Sequence, residues 1–210
     1  MMASDNAPGY RYPDAASNPS HDYLLPAVLE ALGGLTWRDG PKRVFDLGCG
    51  NGSVAAQLAE RGYDVTGVDP SEEGIQQAKA AYPKLRLELG SAYDDLAARL
   101  GTFPVVLSLE VVEHVCFPRK FAACVHSLLE PGGTAILSTP YHGYWKNLAL
   151  ALTGKMDHHF TALWDHGHIK FWSVRTLRLL LEEAGFRDVV FRRVGRIAPL
   201  AKSLIAIARR

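Results

Sequence analysis

The chain of 210 residues has few cysteines, no long apolar run and almost no net charge. Its three cysteines, Cys49, Cys116 and Cys124, cannot form a fully paired disulfide framework, which favours a reducing compartment. No apolar run reaches the roughly 18 residues that a membrane span needs. The polar N-terminal stretch also lacks the apolar core of a signal peptide. We therefore expect a cytoplasmic protein.

The near-zero net charge combines two regions of opposite sign. The whole chain has 23 basic and 22 acidic residues, which argues against a broad basic surface for nucleic acid. Residues 187–210, however, hold seven arginines and lysines against the single acid Asp188. This basic end is either a solvated edge of the fold or a surface that favours an anionic substrate or membrane.

Apolar periodicity predicts an α/β fold. Residues 1–20 are polar and rich in proline and asparagine, which predicts a flexible N-terminal arm before a single domain at residues 21–210. Over residues 42–140, short apolar runs alternate with helical patterns, as in a parallel, doubly wound sheet. The last two predicted strands, Arg187–Val194 and Leu204–Arg209, are joined by a loop too short for a crossover helix. We expect these two strands to pair antiparallel.

The most informative motif is VFDLGCGNG, from Val44 to Gly52. An apolar strand leads into three alternating glycines and a helix, and such glycines let the backbone approach a ligand closely. Asp69 ends the next predicted strand, where a carboxylate can hold ribose hydroxyls. Dinucleotide loops have the spacing G-x-G-x-x-G and direct a helix dipole at a pyrophosphate. Here Asp46 ends the first strand, and its carboxylate suits the ammonium group of S-adenosylmethionine better than a pyrophosphate.

These segments, with VTGVDPS, LSLEVVEHV and LLEPGGTAILSTP, resemble the class I S-adenosylmethionine-dependent methyltransferases, most closely the 3-demethylubiquinone-type O-methyltransferases. The resemblance is strong over residues 40–140 and architectural over residues 173–210. It implies a Rossmann-like, doubly wound sheet of seven strands, mostly parallel with an antiparallel last strand. It also implies S-adenosylmethionine as the cofactor and methyl transfer to a hydroxyl group.

The resemblance further assigns cofactor contacts to residues of this chain. Asp46, Gly48 and Gly50 would line the methionine end of the cofactor. Asp69 would hold the ribose, Pro70 and Ser71 would flank the adenine, and Leu109 would pack nearby. Many relatives carry an acid after the third strand, whereas this chain has Gly90-Ser91-Ala92 there.

Glu110, Glu113 and His114 follow the fourth predicted strand, at the sheet edge where open α/β sheets bind ligands. Two carboxylates and an imidazole can hold a divalent ion such as Mg²⁺ that polarises a phenolate, and the resemblance implies a metal at these positions. His114 is also a candidate base for the acceptor's proton. In the alternative interpretation, the carboxylates only frame the cofactor loop.

Residues 141–172 interrupt the strand–helix alternation with a segment rich in histidine and tryptophan. We predict that it is a substrate lid, because aromatic walls with a few polar groups suit a planar acceptor. Its histidine spacing is not that of a structural zinc site. The candidate catalytic residues here are His142 and His166, and the candidate pocket residues are Tyr141, Trp145, Trp164, His168 and Trp172.

Within this segment, apolar residues recur at helical spacing between Trp145 and Met156. This face either packs on the domain as part of the lid, which we favour, or lies on a membrane surface. The second interpretation would place the protein peripherally at the inner membrane surface.

Three classes of function remain open at this point. The preferred one is O-methylation of a small phenolic or quinone-precursor acceptor, aromatic or lipid-tailed. The others are N- or C-methylation of another metabolite and a non-catalytic cofactor-binding module. Methylation of nucleic acid is disfavoured, because no N/D-P-P-Y/F segment follows the fourth strand.

Overall fold

The computed structural model describes residues 14–164 and 167–210, and the structural statements below concern those residues. One sheet contains all seven strands: β1 Lys42–Leu47, β2 Tyr63–Asp69, β3 Arg86–Leu89, β4 Phe103–Leu109, β5 Leu129–Pro140, β6 Arg187–Val194 and β7 Ser203–Arg209. The helices are α1 His21–Gly33, α2 Ser53–Ala59, α3 Glu72–Ala81, α4 Leu96–Leu100, α5 Pro118–Leu128, α6 Tyr144–Leu152, α7 Met156–Phe160 and α8 Val174–Glu183.

The strand order is β3-β2-β1-β4-β5-β7-β6. The pairs from β3 to β5 are parallel, and β7 runs antiparallel to both β5 and β6. The sequence-based prediction of a seven-stranded, Rossmann-like sheet with an antiparallel last strand is therefore confirmed. The chain reverses direction along the sheet between β1 and β4, the kind of switch point where open α/β sheets bind ligands.

Apolar side chains bury both faces of the sheet. Successive strand residues point to opposite faces, so Val44 and Phe45 belong to two different core clusters. Helices α1, α2 and α3 cover the Val44 face, and α4, α5 and α8 cover the Phe45 face. The carboxyl ends of β1, β2 and β4 are thereby fixed as a rigid edge between two helical layers.

Side-chain caps set several helix starts. The Ser71 hydroxyl accepts a hydrogen bond from the Gly74 N–H at 3.1 Å, and Ser173 forms a capping box with Thr176. Helix α4 begins at Leu96 because Asp95 caps it, its carboxylate accepting a hydrogen bond from the Ala98 N–H at 3.2 Å.

The segment between β5 and α8 contains the two short helices α6 and α7, separated by Gly154, whose φ is +66°. Helix α6 buries none of its residues, and Leu148 and Leu152 are 48% and 79% exposed. The favoured expectation that this apolar face packs on the domain is therefore wrong. Among the described residues, no helix is long and apolar enough to cross a membrane.

Candidate active site

The glycine loop between β1 and α2 is shaped by backbone conformations that favour glycine. Gly48 and Gly52 have φ of +83° and +76°. A Cβ on Gly48 would also overlap the side chain of Val111, just after β4. The loop after β1 therefore lies directly against the turn after β4, and a larger residue at position 48 would separate them.

Asp69 is held in place by this loop. Its Oδ2 accepts a hydrogen bond from the Gly50 N–H at 2.9 Å, and its Oδ1 accepts from the Ser71 N–H at 2.8 Å. Burial raises the pKa of Asp69, while the two backbone hydrogen bonds oppose that rise. The carboxylate thus stands at a fixed position at the carboxyl end of β2, and its contact with a ribose stays a prediction.

Asp46 differs from Asp69 in lacking partners for part of its carboxylate. Its side chain is 2% exposed, and Oδ2 accepts no hydrogen bond within the described structure. Burial, and secondarily the charge of Asp69, raise its pKa from the ordinary 3.8 to about 7. A buried acceptor without a partner is well suited to a cationic ligand group, because the ligand would supply the missing interaction.

The remaining predicted cofactor residues lie along the same edge. Ser71 is buried as the N-cap of α3, Pro70 is exposed, and Leu109 is partly buried at the end of β4. Their contacts with a cofactor stay predictions.

Residues 14–16, to which the sequence assigns no function, lie beside the glycine loop. The Asn51 amide donates hydrogen bonds to the carbonyls of Asp14 and Ala16, at 2.8 and 2.9 Å. The Tyr82 hydroxyl donates to the Ala15 carbonyl at 3.0 Å. Residues 14–16 thus bridge the glycine loop and α3. No apolar pattern in this short polar segment predicts such a contact, and the rest of the predicted arm, residues 1–13, lies outside the described structure.

Glu110 begins the turn after β4 and has a φ of +55°. Its carboxylate accepts hydrogen bonds from the hydroxyls of Ser138 and Ser203, at 2.8 and 3.4 Å. Burial raises the pKa of Glu110, opposed by these hydroxyls and by the charge of Lys146. Glu110 therefore faces β5 and β7.

Glu113 and His114 face the segment between α7 and α8 instead. Glu113 Oε1 lies 4.0 Å from His114 Nε2 and 3.9 Å from Nε2 of His168. Ligating atoms of these three side chains all lie within 4.8 Å of one another. The predicted metal set of Glu110, Glu113 and His114 does not converge in this way. Among the described residues, the third side chain of this group is His168 and not Glu110.

Aromatic side chains of the predicted lid form two groups of rings. Trp164 and His168 pack edge-on against His114, with ring centroids 4.9–6.0 Å apart. His142 instead contacts three rings at 5.0–5.7 Å: His159, Phe160 and Phe171.

The other candidate lid residues are spread over different environments. Tyr141 and Trp172 are each 8% exposed and form a β-bridge, and the Trp172 indole donates to the Val112 carbonyl at 3.2 Å. Trp145 lies on α6 and is 71% exposed. His166 lies outside the described residues, so its assignment stays a prediction.

A mostly parallel seven-stranded sheet, with a glycine loop and two carboxylates at the ends of adjacent strands, defines a Rossmann-like nucleoside-binding domain. A family model described as a methyltransferase domain matches residues 20–190. The chain therefore belongs to the methyltransferase domain family.

Several relatives are similar to this chain in sequence and share one name. A ubiquinone biosynthesis O-methyltransferase of Caulobacter sp. (strain K31) is 41% identical over 116 residues, which cover 53% of this chain and 46% of that protein. The protein of that name from Dinoroseobacter shibae is 33% identical over 154 residues, covering 70% of this chain and 60% of its own length. The chain thus spans about half the length of the curated relatives it matches.

Solved structures share the fold. A SAM-dependent methyltransferase from Archaeoglobus fulgidus superposes with a TM-score of 0.63 at 19% identity, over 89% of this chain and 93% of that one. Magnesium protoporphyrin IX methyltransferase from Synechocystis PCC 6803 superposes with a TM-score of 0.61 at 23% identity, over 89% and 80%. These similarities agree with the sheet order described above.

Proposed function

We propose that this chain binds S-adenosylmethionine at the ends of β1 and β2 and transfers its methyl group to the hydroxyl of a small phenolic or quinone-precursor molecule. The observation that carries the proposal is the pair of carboxylates around the glycine loop. Asp69 is fixed by two backbone N–H groups, and Asp46 is buried with an oxygen that lacks a partner. The Asp69 carboxylate suits ribose hydroxyls, and the Asp46 carboxylate suits the cofactor's ammonium group.

The choice of acceptor is supported by the relatives, whose name is ubiquinone biosynthesis O-methyltransferase. It is also supported by the rings of the segment between β5 and α8, which stand at the carboxyl edge of the sheet. Because the sulfonium already activates the methyl group, the protein mainly has to position the acceptor and exclude water.

His142 is the candidate base that the described geometry favours. Its backbone follows β5, it is 7% exposed, and its Nδ1 makes no close hydrogen bond in the described structure, although the Asn147 side chain lies near the ring. Burial, and then the charge of Lys146, lower its pKa to about 4, so the ring is neutral near pH 7. The lowered pKa also makes the ring a weaker base than a free imidazole, so its candidacy rests on its position at the end of β5. His114 has one ring nitrogen engaged, since Nδ1 lies 3.2 Å from the Gly167 carbonyl oxygen.

Isothermal titration with S-adenosylmethionine tests the cofactor, and absence of binding would refute the proposal. Turnover is then measured by mass spectrometry over a panel of hydroxybenzoate-derived acceptors, with amine and carbon acceptors as competitors. His142→Asn should lower kcat at least about 100-fold if His142 is the base. The matched control His158→Asn, in the exposed part of α7, should leave kcat unchanged. Binding without turnover across the panel would support the non-catalytic alternative.

We further propose that the protein contacts an anionic membrane surface through α6. Trp145, Leu148 and Leu152 stand exposed on this helix, close to the turn at residues 198–200, and Ile197 is 70% exposed. Lys146 lies near enough to Arg196 for that charge, after burial, to lower the pKa of Lys146. Apolar side chains beside basic ones are typical of interfacial helices.

Sedimentation with phosphatidylglycerol vesicles, compared with phosphatidylcholine vesicles, measures this contact. Binding should prefer the anionic vesicles, weaken with salt, and fall several-fold when Leu148 and Leu152 are both changed to serine. Leu163→Ser is the control, because Leu163 is 98% exposed but lies outside α6. Equal sedimentation of all three proteins would contradict the contact.

A further inference from the structure

Three side chains of types that can ligate a metal ion, from two separate segments, lie close together beside the end of β4. Glu113 and His114 lie in the turn after β4, and His168 lies between α7 and α8. Both imidazole Nε2 atoms lie within 4.0 Å of the same carboxylate oxygen, Glu113 Oε1. Ligands of one ion at about 2.1 Å stand roughly 3.0–3.5 Å apart. All the ligating atoms lie within 4.8 Å of one another, so side-chain movements of about 1–2 Å would reach that spacing.

The Glu113 carboxylate supplies an independent reason to expect a cation here. Its side chain is 1% exposed, and its oxygens make no close hydrogen bond in the described structure, although the Thr139 hydroxyl lies near enough to favour the charged form. A carboxylate that is removed from water with so little hydrogen bonding is strongly unfavourable unless a cation or a proton compensates it. The two histidines face this carboxylate through nitrogen atoms that can share an ion with it.

The surroundings of His114 fit a ligating imidazole. Its Nδ1 lies 3.2 Å from the Gly167 carbonyl oxygen, so an Nδ1–H donates there, and its Nε2 lies 4.0 Å from Glu113 Oε1. Metal-bound histidines commonly donate their second ring N–H to a backbone carbonyl in this way, which fixes the tautomer and orients the ring.

The main chain brings His168 to the site. The Glu113 carbonyl accepts hydrogen bonds from the N–H groups of Ile169 and Lys170, at 2.9 and 3.0 Å. The residues directly after His168 are thus bound to the residue that carries the carboxylate. Trp164 packs against both imidazole rings and shields one side of the group.

The donor set favours one class of ion. One carboxylate and two imidazoles are typical of zinc and of other first-row transition metals, whereas Mg²⁺ prefers oxygen ligands. Glu110, which would make the set richer in oxygen, is engaged with Ser138 and Ser203.

We propose that Glu113, His114 and His168 form a binding site for a first-row transition-metal dication, with Zn²⁺ as the representative ion. Because His168 belongs to the segment between β5 and α8, a bound ion would link this segment to the turn after β4. When bound at this edge of the sheet, such an ion supplies Lewis acidity to an oxygen of the acceptor.

The test uses untagged, metal-stripped protein and titrates Zn²⁺, Co²⁺ and Mg²⁺ separately, without cofactor or acceptor. Wild-type protein should bind one Zn²⁺ and show the visible absorption of protein-bound Co²⁺, and Mg²⁺ should bind far more weakly. His168→Asn should weaken Zn²⁺ binding at least about 100-fold. Glu110→Gln and His159→Asn, a histidine of the same segment outside the group, should leave it within about threefold.

Two further measurements keep the outcome interpretable. Thermal unfolding of the metal-free variants separates loss of a ligand from loss of the fold. Limited proteolysis of residues 144–170 should slow with Zn²⁺ in the wild type and not in His168→Asn. The proposal is overturned if wild-type protein binds neither Zn²⁺ nor Co²⁺, or if Glu110→Gln removes binding while His168→Asn retains it. The metal titrations, the thermal unfolding and the proteolysis do not depend on methyl transfer, so they test the metal site even if the proposed methyltransferase activity is not found.

Discussion

Replacing Asp46 by asparagine should stabilise the ligand-free protein while weakening its affinity for the cofactor. Asp46 is buried at the end of β1, and its Oδ2 has no hydrogen-bond partner in the described structure. The substitution preserves the shape of the side chain and removes its ability to carry a charge. The two effects have opposite signs because the charge is unfavourable in the empty site and favourable beside an ammonium group.

The size of the effect on stability follows from the pKa of Asp46. Burial, followed by the charge of Asp69, raises this pKa from 3.8 to about 7. At about 1.4 kcal/mol for each pKa unit, ionising Asp46 in the folded protein costs about 4 kcal/mol. Because the folded-state pKa is the higher one, the folded state binds the proton more tightly than the unfolded chain does. Its stabilising contribution is complete below about pH 4 and is lost as the pH rises through about 7.

Urea unfolding of the ligand-free protein across this pH range provides the assay. At about pH 8, Asp46→Asn should raise the free energy of unfolding by up to about 4 kcal/mol, and near pH 4 the gain should vanish. Asp64→Asn, at an exposed position on β2, is the matched control and should change stability little at either pH. Titration with S-adenosylmethionine should show at least about 30-fold weaker binding to Asp46→Asn. An Asp46→Asn protein that is no more stable than wild type at pH 8, or that binds the cofactor equally well, would refute the reasoning.

Three other substitutions probe neighbouring features. Gly48→Ala should weaken cofactor binding at least about tenfold by titration, because φ at Gly48 is +83° and a Cβ there would overlap Val111. An unchanged affinity would show that the glycine loop accommodates the added methyl group. Asn51→Ala removes two hydrogen bonds to residues 14–16 and should speed cofactor dissociation several-fold in stopped flow; an unchanged rate would mean that these residues do not restrain the cofactor. Ser173→Ala should lower stability by about 1 kcal/mol in urea without changing cofactor affinity, and a larger loss of affinity would contradict a purely capping role.

Much of the sheet could be predicted because its signals are local. The predicted strand Arg187–Val194 has the same bounds in the structure, and Ser71 and Ser173 cap the helices that directly follow them. Residues 131–133, Pro-Gly-Gly, look like a helix stop in isolation, yet β5 already begins at Leu129, because Leu129 pairs with Phe103 of β4. That contact joins distant parts of the chain, and no local pattern reports it.

The cofactor edge was predictable for the same reason, whereas the organisation of residues 141–172 was not. The spacing of Asp46 and Asp69 relative to their strands is enough to place both carboxylates at one edge of a parallel sheet. The exposed apolar face of α6, in contrast, has the same helical periodicity as a packed one. Periodicity identifies the face and leaves open what covers it.

The segment E-x-x-E-H shows most clearly where sequence spacing stops being informative. On a helix, residues three positions apart share a face, which would place Glu110 and Glu113 side by side. The residues from Glu110 to His114 form a turn instead, and the positive φ of Glu110 directs the chain so that its carboxylate meets Ser138 and Ser203. Glu113 is left facing the segment between α7 and α8, whose backbone it binds through Ile169 and Lys170. These hydrogen bonds join residues more than fifty positions apart in the sequence, and they place His168 beside Glu113. Sequence spacing alone does not predict this contact.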